Sequence, residues 1–156
     1  MSDRLLAELK QTKQFPRRSA EAFLSVLRTA ALLEHQMGEV LKADGITMTQ
    51  YNVLRILRGA GEQGLCGREI GERMVSPVPD VSRLLDRMEE TGLIRRVREE
   101  ADRRHVTARI TRKGLDLVAQ VTPRLEAVER ARFRRVDARR LDALISALED
   151  VRASGG

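Results

Sequence analysis

The stretch VPDVSRLLDRMEETGLIRRVREEADRRHVTARIT, Val78 to Thr111, constrains the fold more than any other part of the chain. Val81, Leu84, Leu85 and Met88 fall at i, i+3, i+4 and i+7, so one helical face is apolar and turned to a core. Thr91-Gly92 ends that helix, because glycine accepts the left-handed backbone that a helix terminus favours. Ile94 to Val97 then reads as a strand. After the charge-dense REEADRR, Arg98 to Arg104, a second strand runs from His105 to Thr111. There Val106, Ala108 and Ile110 alternate with Thr107, Arg109 and Thr111.

The upstream sequence supplies a partner for that helix. A short helix is expected after Gly67, with Ile70 and Met74 four apart. Ser76, Pro77 and Pro79 then open the next helix, since first-turn amides lack intrahelical partners and tolerate proline. Val78 precedes a proline and resists helical geometry, which sets the start close to Pro79. Two helices joined by a short turn and followed at once by a hairpin have the layout of a winged helix-turn-helix, a module that binds duplex DNA.

Long helices flank this lobe. Residues 3–13 are weakly amphipathic through Leu5, Leu6 and Leu9, and Phe15-Pro16 breaks them. From Ser19, read as an N-cap, a helix runs to about Ala43. Phe23, Val26, Leu27, Ala30, Leu33, Met37, Val40 and Leu41 mark its apolar face. Ala31 and Leu32 widen that face, so more than one side is expected to be buried, and Gly45 closes the helix. Thr47-x-x-Gln50 has capping-box form, with Thr49 as a competing cap, ahead of a helix through Val53, Leu54 and Leu57 that stops near Gly59 and Gly61. Thr111 caps a helix containing Leu115, Val118, Thr122, Leu125 and Val128, which Pro123 should kink. Asp137 caps the last helix, where Leu141, Leu144, Ile145 and Leu148 repeat the amphipathic pattern. The expected fold is mainly α with a small β wing. It forms a single chain over 1–156, with a winged helix-turn-helix lobe over 46–111 between dimerisation helices in 1–45 and 112–156. The outer helices carry too much apolar surface for a monomer, and residues near Phe23, Leu27, Leu141, Leu144 and Leu148 are expected between subunits.

Composition narrows the function classes. Aromatic residues are only 3% and there is no Trp, so the core must be aliphatic. The net charge of +6 permits nucleic acid or an anionic membrane as partner, and placement has to decide. Residues 93–112 hold seven Arg against three acids. No apolar run approaches the roughly 18–20 residues of a membrane span, and MSDRLLAELK lacks the apolar core of a signal peptide. One cysteine excludes an internal disulfide and fits a reducing compartment, so a cytoplasmic location is expected. No catalytic constellation, Gly-rich phosphate loop or zinc-ligand spacing is present, so neither an enzyme nor a cofactor is expected.

With one face of the Val81–Met88 helix assigned to the core, the other presents Asp80, Ser82, Arg83, Asp86 and Arg87. The N-terminal part of such a helix enters the major groove. Arg83 can donate two hydrogen bonds to guanine or to a phosphate, and Ser82 can bond either. The alternative for these residues is a solvated helix face. In the hairpin loop, an Arg suits the negative potential of the minor groove. Asp102 has the spacing to hold the Arg104 guanidinium by a bidentate bond. The alternative is an exposed tip with scattered ions.

The segments REIGERM, PDVSRLLDRMEETGLIRR and ADRRHVTARITRKG together resemble the MarR (multiple antibiotic resistance regulator) family of bacterial transcription factors. The last carries the family's wing signature, and the resemblance covers essentially the whole chain. It implies a homodimeric regulator of double-stranded DNA, usually a repressor, reading a near-palindromic operator and often responding to a small-molecule effector or oxidant. The family's recognition-helix contacts map onto Ser82 and Arg83, its wing-tip Arg onto Arg104 and its supporting Asp onto Asp102. The full DNA-facing set expected is Ser76, Asp80, Ser82, Arg83, Arg87, Arg103 and Arg104. Asp80 departs from the family, which often has Thr or Ser there. It either accepts from cytosine or caps the helix start.

The family's ligand pocket usually lies between the dimerisation helices and the DNA-binding lobe, which points to Met37, Leu41, Tyr51 and Leu115. Core packing is the competing role of each. Cys66 precedes a helix start, which can lower a thiol pKa. It lies outside the first helix, where the family's peroxide sensors carry theirs, so a structural role is favoured over redox sensing. Two His and one Cys are a thin supply for a metal site, and none is expected, His35 included. His105 borders the wing and is expected to meet phosphate or solvent. RARFRRVDARR holds six Arg in a pattern that suggests a solvated bend between helices. A winged-helix interaction module that binds no DNA is the competing class, disfavoured because no further domain is present for it to serve.

Overall fold

The computed structural model describes residues 3–102 and 104–155; Arg103, one of the DNA contacts expected from sequence, lies outside the described residues. The elements follow in the order α1 (Asp3–Leu9), α2 (Arg18–Lys42), α3 (Met48–Ala60), a 3-10 turn (Gly61–Gln63), β1 (Leu65–Cys66), α4 (Gly67–Arg73), α5 (Val81–Glu90), β2 (Ile94–Arg98), β3 (Val106–Ile110), α6 (Arg112–Phe133) and α7 (Ala138–Ala153). The protein is mainly helical with a small antiparallel sheet, ordered β1-β3-β2.

Local chemistry accounts for most boundaries. Thr47 caps α3 with a full capping box: its Oγ1 accepts from Gln50 N–H at 3.1 Å, and Gln50 Oε1 accepts from Thr47 N–H at 3.0 Å. Thr111 and Asp137 cap α6 and α7 through their side-chain oxygens, as the sequence predicts. Gly92, at φ 75, ends α5, and Leu93 N–H closes back on Met88 O at 3.0 Å.

Four boundaries differ from the sequence reading. α1 stops at Leu9, where Lys10 adopts φ 53, well before Phe15-Pro16. α2 begins one turn-fraction earlier than Ser19, after Arg17, which makes no side-chain cap bond. α5 begins at Val81, close to Pro79, but neither proline enters its first turn, because the Asp80 carboxylate supplies the cap. Ser76, Pro77 and Pro79 therefore lie in the turn between α4 and α5, and Asn52 Oδ1 anchors that turn by accepting from Val75 N–H at 2.8 Å. Finally, β1 was not foreseen. Leu65 pairs with Ala108 and Cys66 with Thr107, making β3 the central strand. Gly64 lets β1 approach: its φ is 67, and a Cβ there would sit 2.3 Å from Ala108 O.

One core joins the lobe to the flanking helices. Leu41 of α2, Leu54 and Leu57 of α3, Ile70 of α4, Met88 of α5, and Val118 and Val121 of α6 are all fully buried. α2 also packs along α6 and α3, yet most of its surface and that of α7 stay open. Leu41 is the one buried residue of the 25 in α2, and α7 buries none. Phe23, Leu27 and Leu144 are 64%, 51% and 42% exposed, and Leu141 and Leu148 are half-buried. These faces are buried only if another chain covers them. No helix among the described residues is long and apolar enough to cross a membrane.

Candidate nucleic-acid interface

α4 and α5 pack on each other and on the sheet, which leaves one face of α5 in solvent. Leu85 and Met88 are buried, while Ser82, Arg83, Asp86 and Arg87 are exposed, as the helical period dictates. Asp80 is the N-cap, with Oδ1 accepting from Arg83 N–H at 2.9 Å. Of the two roles the sequence leaves open for it, capping is in place. Among the described residues no carboxylate pairs with the guanidinium of Arg83 or Arg87, and Ser82 and Ser76 have exposed, unengaged hydroxyls.

Asp86 is different. Its Oδ1 lies 2.5 Å from Arg96 Nη2 on β2. Glu89, one turn on, accepts from the same guanidinium at 3.2 and 3.0 Å and from Arg96 N–H at 2.6 Å. Arg96 thus fastens the wing to two carboxylates of α5. The bond from the Arg96 backbone, then that from its side chain, holds the Glu89 carboxyl below the usual carboxylate range. Partial burial opposes the charge on Arg96, but the two carboxylates more than offset it and its pKa is raised. The sequence reading missed this clamp. Its one signal was the pair of acids at 86 and 89 facing an Arg across the α5–β2 turn.

The wing tip folds through Asp102, though not by the expected bond. Asp102 Oδ1 accepts from the backbone N–H of Arg104 at 3.0 Å, and Asp102 O accepts from His105 N–H at 2.9 Å. This is an Asx-type turn, which a short carboxylate makes with its own backbone more readily than it reaches a flexible guanidinium. Asp102 therefore shapes the loop from which Arg104 projects. The Arg104 guanidinium is exposed, with no carboxylate partner among the described residues.

The four residues expected to line an effector pocket stand at different depths. Leu41 and Tyr51 are core residues at 0% and 7% exposure, Met37 packs against that core, and Leu115 is at the surface. Tyr51 OH bonds Thr122 Oγ1 at 2.9 Å and accepts from Arg55 Nη1 at 3.1 Å, tying α3 to α6. A cleft of about 630 Å³ does lie at the junction of the lobe and α6, between Asp44, Ile46, Gln50, Leu93, Lys113 and Gln120. On its wall Asp44 accepts from Gln120 at 3.0 Å and from Arg124, linking the end of α2 to α6. His35 borders a second cleft beside Glu39 and Arg132, and no cluster of three metal-ligating side chains occurs among the described residues. His105 is exposed beside the wing. Cys66 is half-buried at the N-cap of α4, where its backbone N–H donates to Glu69 Oε2 at 2.9 Å, a structural position. That bond is the first cause of the lowered Glu69 pKa.

A buried two-helix unit with one charged face exposed, followed by a hairpin clamped to its second helix, defines a winged helix-turn-helix. The comparisons place it further. The MarR family profile matches residues 44–105. The HTH-type transcriptional regulator MhqR of Bacillus subtilis (strain 168) is 26% identical over 106 residues, covering 68% of this chain and 72% of the relative. The HTH-type transcriptional regulator TtmR of Methylorubrum extorquens (strain PA1) is 34% identical over 113 residues, covering 71% of this chain and 57% of that one. Among solved structures, AbsC, a MarR family transcriptional regulator from Streptomyces coelicolor, superposes with a TM-score of 0.76 at 28% identity, covering 92% of this chain and 97% of AbsC. Residues 44–105 match the MarR family, and the relatives and solved structures together support a MarR-family, DNA-binding, helix-turn-helix transcriptional regulator.

Proposed function

We propose that the chain acts as a homodimeric repressor that reads a near-palindromic operator. The observation that carries this reading is the exposed face of α5, where the side chains of Ser82, Arg83 and Arg87 have no partner among the described residues while the wing is locked to the helix behind them. Arg83 and Ser82 contact base edges, Arg87 and Ser76 contact phosphates, and Arg104, with Arg103, enters the minor groove from the wing. The exposed apolar faces of α2 and α7 supply the dimer contact, so residues 1–45 and 112–156 serve as dimerisation helices around the lobe at 46–111. Two-fold symmetry then sets the recognition helices in successive major grooves about 10 base pairs apart.

Release by a small molecule is assigned to the cleft of about 630 Å³ between the α2–α3 loop, the start of α3, the α5–β2 turn and α6. A ligand there would contact Lys113 and Gln120 and separate Asp44 from α6. The protein works in the cytoplasm, where the DNA is. Selection of bound fragments from the source genome, followed by titration at several salt concentrations, tests the whole reading. Recovery of one symmetric sequence bound far more tightly than random DNA is expected; equal affinity for every fragment would refute it.

A further inference from the structure

Capping alone does not explain the carboxylate of Asp80. Asp, Asn and Ser cap helices about equally well, so a neutral side chain would hold α5 without placing a negative charge where a polyanion docks. The structure divides the carboxylate between two tasks. Oδ1 is occupied by Arg83 N–H at 2.9 Å, while Oδ2 takes no hydrogen bond from any described residue. The side chain is exposed, and it has no ion pair among the described residues. It stands two residues ahead of Ser82, at the end of α5 that enters the groove.

We infer that Asp80 is a specificity-determining residue that selects cytosine, with Oδ2 accepting from the N4 amino group in the major groove. The inference rests on the DNA-reading role proposed above. In the major groove guanine and thymine present acceptors, which a carboxylate repels, and adenine sets an acceptor beside its donor. Cytosine alone presents an amino group with no acceptor on its own ring edge; the paired guanine O6 flanks it on one side only, whereas the adenine amino group is flanked on both. One free oxygen matches one such donor. Because the cap bond fixes the side chain before DNA arrives, little ordering entropy is lost in making the contact. The repulsion toward the other bases sharpens the choice, so the acid works partly by exclusion.

The test compares the full-length wild type with Asp80→Asn and Asp80→Ser in selections from randomised duplexes, followed by titration of the four bases at each selected position. All three side chains cap a helix, and thermal melting confirms that each variant folds. With its oxygen retained on Arg83 N–H, Asn turns an N–H donor outward, so the polarity of the contact inverts. At one position in each half-site, Asp80→Asn should lose cytosine and gain a base bearing an acceptor, a swing of about tenfold or more. Asp80→Ser, too short to reach, should bind with little preference there. If both variants keep the wild-type preference at every position, Asp80 is a cap and the inference is overturned. If the wild type itself selects no sequence, the DNA-reading role fails and takes this inference with it.

Discussion

Replacing Arg96 with Met removes the wing clamp while keeping most of the aliphatic stem. The guanidinium makes three close contacts, at 3.2 and 3.0 Å to Glu89 and 2.5 Å to Asp86. A fully buried charge-assisted hydrogen bond contributes about 1.5–3 kcal/mol. Here the side chains are 26%, 38% and 51% exposed, so solvent screening reduces the sum of the three to about 1–2 kcal/mol. The variant also leaves two acids three residues apart without a counter-charge, which adds about 0.3 kcal/mol. A loss near 2 kcal/mol corresponds to a fall in melting temperature of about 4–8 °C for a chain of this size, measured at one fixed protein concentration. Operator affinity should fall as well, because the wing loses its fixed angle to α5. The decisive measurement is the dependence of affinity on salt. Each phosphate contact adds about 0.9 to the slope of log K against log salt. Arg96 is engaged by carboxylates, so the slope should not change. A slope reduced by about one unit would make Arg96 a phosphate contact, and an unchanged melting temperature would show that the clamp contributes nothing to the fold.

The wing-tip turn predicts that Asp102→Ala weakens operator binding while Asp102→Asn does not, since an amide oxygen can still accept from Arg104 N–H; equal losses in fluorescence titrations would leave the Asx-type turn without a role. Arg104→Ala should lower affinity with no change in melting temperature, and the Asp102→Ala/Arg104→Ala pair should be little worse than Arg104→Ala alone, because both damage one unit. Phe23→Asp combined with Leu144→Asp should yield monomers at low micromolar concentration by sedimentation; a stable dimer would place the subunit contact elsewhere. The Glu89 and Glu69 carboxyls are held below the ordinary glutamate value of about 4.3. A depressed carboxylate contributes stability above its unfolded pKa and loses it as pH falls through the folded one. Melting temperature should therefore drop below about pH 4.3, less steeply in Glu89→Gln than in the wild type. Parallel pH profiles for the two proteins would exclude Glu89 as a source.

Elements set by near neighbours were legible in the sequence. The Thr47–Gln50 box, the Thr111 and Asp137 caps and the apolar stripe of α5 each depend on residues within one or two turns, and each stands as read. β1 was not legible, because two residues carry no period and exist as a strand only through pairing with β3 some forty positions on. The start of α5 was legible to within two residues and no closer, because two prolines and an Asp compete within four residues and only the cap bond decides. At the interface, the exposed positions 82, 83 and 87 followed from helical phase alone. The Arg96 clamp did not, since it depends on how the α5–β2 turn folds the strand back across its helix. The Asp102 spacing was right and its partner atom wrong: the same two-residue offset serves a guanidinium or a backbone amide, and sequence does not separate them.

The junction of wing and α6 has a mechanical consequence. Thr111 Oγ1 donates toward Gly92 O at 2.6 Å and Leu93 O at 3.0 Å while accepting from Gly114 N–H at 3.1 Å. Gly114 has no spare room, since a Cβ there would lie 2.4 Å from Leu93 O. The root of β2 and the first turn of α6 are therefore welded. A twist applied along α6 cannot be absorbed at this joint and must carry the wing and α5 with it as one rigid piece. In a dimer held through α2 and α7, the spacing between the two reading helices would then be set at that subunit contact, not by any bending within the lobe. α6 is the steering column of the molecule, and Gly114 is the weld that keeps it from slipping.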